Sequence, residues 1–107
     1  MPVMGRDKQV VGTVTDMWID EAEQLVRFYA ITLSDELGGG MRLVPRELAK
    51  IRFDHLRVNS LVKERFAGIP AMKSDKQVTL LEEDKISSYI AAGNLYGART
   101  EATMELA

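Results

Sequence analysis

Two runs rich in β-branched and aromatic side chains stand five residues apart near the start of the chain, and they restrict it to a fold built on a sheet. Residues 10–19 read VVGTVTDMWI and residues 25–33 read LVRFYAITL. Side chains of this kind fit a pleated, half-buried surface. Between the runs, Asp20, Glu21, Ala22, Glu23 and Gln24 place three carboxylates in four residues, a strong local negative field. Arg27 follows four residues after Glu23, inside the second run. A positive charge among apolar neighbours is costly unless it is paired. The pattern predicts a hairpin with an acidic connection, with Glu23 and Arg27 as one electrostatic unit.

The remaining segments are shorter. Residues 1–9 form a lead into the first strand, broken by Pro2 and Gly5. The SDELGGG stretch ends in three glycines, which permit positive φ and mark a turn or loop. A third strand over residues 41–44 stops at Pro45, and residues 51–53 and 56–58 read as another hairpin with His55 at its tip. Several short strands at this spacing suggest a small barrel or sandwich. The tail changes character. Residues 61–66 suit a short helix closed by Gly68 and Pro70. Glu82, Glu83 and Asp84 then precede Ile86, Tyr89 and Ile90, which share one helical face. The spacing predicts a helix over residues 82–92, acidic in its first turn as the helix dipole favours, with Gly93 and Asn94 as its stop. The barrel is expected over residues 10–58, the helical tail over 61–96 and a frayed end over 97–107, all in one domain.

Composition narrows the functional classes. A length of 107 residues suits a single domain that buries roughly two-thirds of its unfolded surface. With no cysteine and one histidine, neither disulfides nor thiolate or multi-histidine metal sites are available. A net charge of −2 offers no global field for nucleic acid or an anionic membrane. No apolar run approaches the roughly 20 residues of a membrane span, and MPVMGRDKQ lacks a signal-peptide core. A cytoplasmic protein is expected, one that meets a membrane through partners.

No catalytic constellation stands out, and the protein is not expected to be an enzyme. His55 lacks an orienting partner in the sequence and reads as a solvated surface residue. The triple glycine lacks the Lys-Ser/Thr continuation of a phosphate loop. Trp18 suits core or interface packing better than ligand stacking. The acids of residues 82–84 most simply complement the helix dipole. The carboxylates Asp20, Glu21 and Glu23 hold more interest, because acids between water and an apolar interior can relay protons when desolvation and neighbours set their proton affinity.

The blocks GTVTDMWID, EQLVRFY, VNSLVKERFAGIPAMKS and QVTLLEEDKISSYIAAGNLY closely resemble, in order, the cytoplasmic domain of the H subunit of purple-bacterial photosynthetic reaction centres, the founding example of the PRC-barrel fold. The resemblance spans residues 2–96 and matches less well at the triple glycine and around residues 46–55. It implies a mainly β fold, a small antiparallel PRC-barrel with a C-terminal helix. It also implies docking on the cytoplasmic face of the membrane-embedded L and M subunits, where the H subunit caps the secondary quinone site and supports proton uptake. On the resemblance, Glu23 falls on the glutamate of the proton path, Arg27 on the arginine near it, and Asp20 matches the same pattern. Glu82, Glu83 and Asp84 fall on an interface and acidic network, and Tyr89, Ile90 and Tyr96 offer area for docking or for packing on the barrel.

The resemblance further implies that bacteriochlorophyll, bacteriopheophytin, quinone and non-haem iron belong to the partner subunits and that this chain alone binds no cofactor. Family members begin with a transmembrane helix and a cytoplasmic segment bearing the histidines of surface proton uptake; this sequence shows neither, and His55 matches none of those histidines. Either a separate transmembrane anchor chain completes the subunit or the sequence is a shortened form, and the first is the expectation. The competing class is a soluble PRC-barrel interaction module of the ribosome-maturation type, which would bind a ribosomal protein and would not need the VTLLEEDKI tail helix.

Overall fold

Six strands and one long helix follow one another in the order β1 (Pro2–Gly5), β2 (Val10–Asp20), β3 (Leu25–Leu33), β4 (Met41–Pro45), β5 (Lys50–Ile51), β6 (Leu56–Val58) and α1 (Leu80–Leu106). The computed structural model describes the backbone of residues 1–106 and the side chains of residues 1–93. The strands form one sheet in the order β4-β3-β2-β1-β6-β5. All pairings are antiparallel except β1 with β6, which run parallel. The architecture is the expected one, mainly β with a C-terminal helix.

The β2–β3 hairpin is the longest ladder, from Gly12 opposite Leu33 to Asp20 opposite Leu25. Phe28, Tyr29, Ala30 and Ile31 are all buried. Successive strand residues point to opposite faces, so β3 is covered on both sides at its middle. The turn to β4 uses Gly38, Gly39 and Gly40 with φ of 96°, 66° and 85°, a run that only glycine adopts without strain.

The lead segment departs from expectation. Residues 2–5 form β1, which lies inside the sheet between β2 and β6. Pro2 occupies its first position, where a missing N–H is tolerated. Val3 is wholly buried opposite Leu56. Four residues flanked by Pro and Gly give too little periodicity to announce a strand, and a parallel partner more than fifty residues away leaves no local signal.

The 61–66 segment also differs: a 3₁₀ helix over Lys63–Gly68 replaces the short helix and buries Phe66. Helix α1 begins two residues before its expected start. The Thr79 hydroxyl accepts from the Glu82 amide at 3.1 Å, and the Glu82 carboxylate accepts from the Thr79 amide at 3.0 Å, a reciprocal capping box. The expected stop at Gly93 and Asn94 is absent, because the helix runs through both. Gly93 instead allows close approach: a Cβ there would collide with the Ser60 carbonyl. Ile86 and Ile90 enter the core with Phe66, Ile69 and the sheet residues. Among the described residues no helix is long and apolar enough to cross a membrane.

Candidate functional site

The acidic connection is organised by Asp20. Its carboxylate accepts the amides of Ala22 at 3.0 Å and Glu23 at 3.3 Å, the side-chain-to-backbone pattern of an Asx turn. Gln24 completes the turn with φ 54°, a left-handed conformation unusual for a residue other than glycine, asparagine or aspartate. Glu21 and Glu23 are exposed, and the Glu23 carboxylate has no protein partner among the described residues.

Arg27 stands where the ladder is irregular. Trp18 faces Phe28 and Ile19 faces Val26, which leaves Arg27 as the extra residue of a bulge. Bulges re-aim a side chain out of the regular alternation. The guanidinium lies 5.7 Å from the Phe28 ring centroid and donates from Nη2 to Glu83 Oε1. Asp20 Oδ2 stands 4.0 Å from Nη1. The expected Glu23–Arg27 unit is therefore corrected: the partner of Arg27 is Glu83, with Asp20 at the edge of ion-pair range. Residues four apart are neighbours on a helix but not across a turn and an extended strand. Arg27 is 49% exposed and Glu83 18%, so the pair ties the hairpin to the first turn of α1 at the surface.

Arg27, Leu80, Glu83, Asp84 and Ser87 line an open depression of about 310 Å³. The two elements that meet there carry exposed apolar side chains. Ile19 and Leu25 at the end of the hairpin are 59% and 49% exposed, and Leu80 and Leu81 at the start of α1 are 81% and 65% exposed. The structure thus brings together Asp20, Arg27, Glu83 and Asp84. Glu82 is turned elsewhere, since its carboxylate also accepts the Lys73 amide at 2.9 Å. These hydrogen bonds, from Thr79 first and Lys73 second, hold the Glu82 carboxyl below its ordinary value of 4.5.

The remaining sequence candidates separate. Ile90 is wholly inside the core, and Tyr89 packs against it while its hydroxyl donates to the Arg65 carbonyl at 2.7 Å. The packing reading therefore describes both residues in this chain. The side chain of Tyr96 lies outside the described residues. Trp18 packs partly buried against the core, as its type suggests. His55 is not a free surface residue: its side chain is 13% exposed, and Nδ1 lies 2.7 Å from Asp54 Oδ1. The hydrogen bond to His55 holds the Asp54 carboxyl below its usual range. Sequence reasoning missed this pair although the two residues are adjacent, because a hairpin tip was equated with exposure on both sides. No cluster of three or more His, Asp or Glu among the described residues is arranged to hold a metal.

Comparison with known families gives one match of direct relevance: the family model described as PRC-barrel domain covers residues 1–65, the whole sheet through β6 and the first part of the Lys63–Gly68 3₁₀ helix.

Proposed function

The chain belongs to the PRC-barrel family, and on that premise we propose a non-catalytic docking role: the protein caps the cytoplasmic face of a photosynthetic reaction centre, stabilises the secondary quinone site and supports proton uptake to the reduced quinone. The observation that carries the reading is the surface at the end of the β2–β3 hairpin. Exposed Leu80 lines the depression with the Arg27–Glu83 pair, and the two elements that the pair joins carry further exposed apolar side chains in Ile19, Leu25 and Leu81, of the kind that mark an interaction surface. The proposed partners are the L and M subunits. The pigments, quinone and iron belong to those partners.

Glu23 has a defined part in this scheme. Quinone reduction places negative charge in a poorly hydrated site, and protons must follow it. In the free chain the Glu23 carboxylate faces water. A docked partner would remove part of that water, and desolvation raises the proton affinity of a carboxylate. Asp20 holds the Glu23 amide, so its charge belongs to the same turn. A group that exchanges with water on one side and responds to charge on the other can pass protons inward.

Flash kinetics on assembled complexes test the proposal. Glu23→Gln keeps the shape and removes the titration, so transfer of the second electron to the secondary quinone is expected to slow with assembly intact. A normal rate across pH would overturn the role of Glu23. Fractionation tests the wider reading: the chain should travel with bacteriochlorophyll-containing membranes, whereas travel with ribosomes would favour a maturation module.

A further inference from the structure

A second recess, of about 250 Å³, opens between the 3₁₀ turn Arg46–Leu48, β5 and the end of β6. Two cations line it, Lys50 and Arg57, and they are direct cross-strand partners in the β5–β6 ladder. Like charges placed opposite one another destabilise a strand pair. Among the described residues neither Lys50 nor Arg57 forms an ion pair. Two polar atoms of the lining residues are buried. Arg57 Nε and Ser60 Oγ each expose less than 1 Å² and have no hydrogen-bond partner, and Ser60 as a whole is only 7% exposed. Buried donors left unmet are rare in folded proteins and are costly. Asn59 joins the lining, and Glu47 is the one carboxylate there.

We infer that this recess binds a phosphate-type oxyanion. One ligand of this class answers the opposed cations. Its charge lies between Lys50 and Arg57 and replaces their repulsion by attraction, and its oxygens accept from the terminal nitrogens of the Arg57 guanidinium. Guanidinium donors in a planar fork suit such oxygens geometrically. Lys50 adds a point charge and Asn59 an amide donor, while the lining keeps a net positive charge after Glu47 is counted. The recess lies on β5, β6 and the preceding turn rather than on the hairpin end and α1, so it is separate from the surface assigned to docking.

Inorganic phosphate is the probe, titrated calorimetrically into the full chain at low ionic strength, where exposed charges are least screened. Saturable binding is expected. Arg57→Gln and Lys50→Gln should each weaken it about tenfold or more, the loss of one charge-assisted contact. Arg52→Gln, in the turn between β5 and β6 and outside the lining, should leave it unchanged. Lys50 is exposed, so its replacement tests the site without endangering the fold. In phosphate-free buffer Lys50→Gln should raise the melting temperature, because it removes the repulsion. Absence of saturable binding, or an Arg52→Gln loss equal to that of Lys50→Gln, would overturn the site. Vesicles of phosphatidylcholine with phosphatidic acid separate the sources. Flotation abolished both by Lys50→Gln and by free phosphate assigns the site to a lipid-borne phosphate, and binding of phosphate without flotation assigns it to a soluble one.

Discussion

Arg27 shows how a single side chain fixes a local arrangement. It needs a carboxylate, and the bulge turns it away from the connection it follows and toward α1. An ion pair half open to water is worth little, so Glu83→Gln is expected to cost about 0.5–1 kcal/mol in urea unfolding, after discounting for screening. Glu23→Gln should stay within about 0.5 kcal/mol of the wild type, because its carboxylate supports nothing in the free chain. The pair of variants therefore separates fold from function: one touches stability, the other the proposed proton path. That Arg27 requires a partner was legible from its apolar neighbours. Which partner was not, since Arg27 and Glu83 stand 56 residues apart and the nearer acids offered a simpler answer. The recess at Arg57 stayed hidden for another reason: Lys50 faces it across a short local hairpin, and the pattern of residues 50–58 does not state the register that opposes the two cations.

At the scale of the element, α1 is defined by its first turn. Thr79 and Glu82 satisfy one another's amides, and the T-x-x-E signature was present in the sequence although the helix start was expected two residues later. Thr79→Ala is expected to cost about 1 kcal/mol, measured by thermal unfolding. The pH dependence follows from Glu82. Its carboxyl is held below 4.5 in the folded chain, so the folded state favours the ionised form. That contribution is fully present above the unfolded value and is lost as pH falls through the lower folded one. Glu82→Gln should therefore lower stability at pH 7, and its difference from wild type should shrink in titrations below pH 4.5. The other end of the prediction failed for a steric reason. Gly93 and Asn94 carry the composition of a stop, but the glycine is needed where the helix meets the Ser60 carbonyl. Gly93→Ala is expected to destabilise by about 1–3 kcal/mol, as overpacking does, which thermal unfolding would register.

For the whole molecule, the folding unit is larger than the family match. Residues 1–65 contain the sheet, yet Phe66, Ile69, Ile86 and Ile90 complete its core. Ile90→Ala should cost about 2–5 kcal/mol in one cooperative transition, visible by circular dichroism. Removing the chain from residue 82 onward would take Ile86 and Ile90 with it, so a loss of assembly after that deletion would report unfolding as much as undocking. Leu80→Lys with Leu81→Lys is the cleaner change. Both side chains are exposed, so stability should hold while capture of the proposed L and M partners falls. The parallel pairing of β1 with β6 also sets an order of events in time. A polypeptide emerging from its N-terminus makes β1 first, and that strand keeps one bare edge until residues 56–58 arrive. Hairpins can assemble β1 to β4 quickly, but the sheet is finished only by a contact spanning half the chain, and such closures govern folding speed. Val58→Ala should accordingly slow refolding in stopped-flow mixing more than it hastens unfolding: the first strand made is the last one completed.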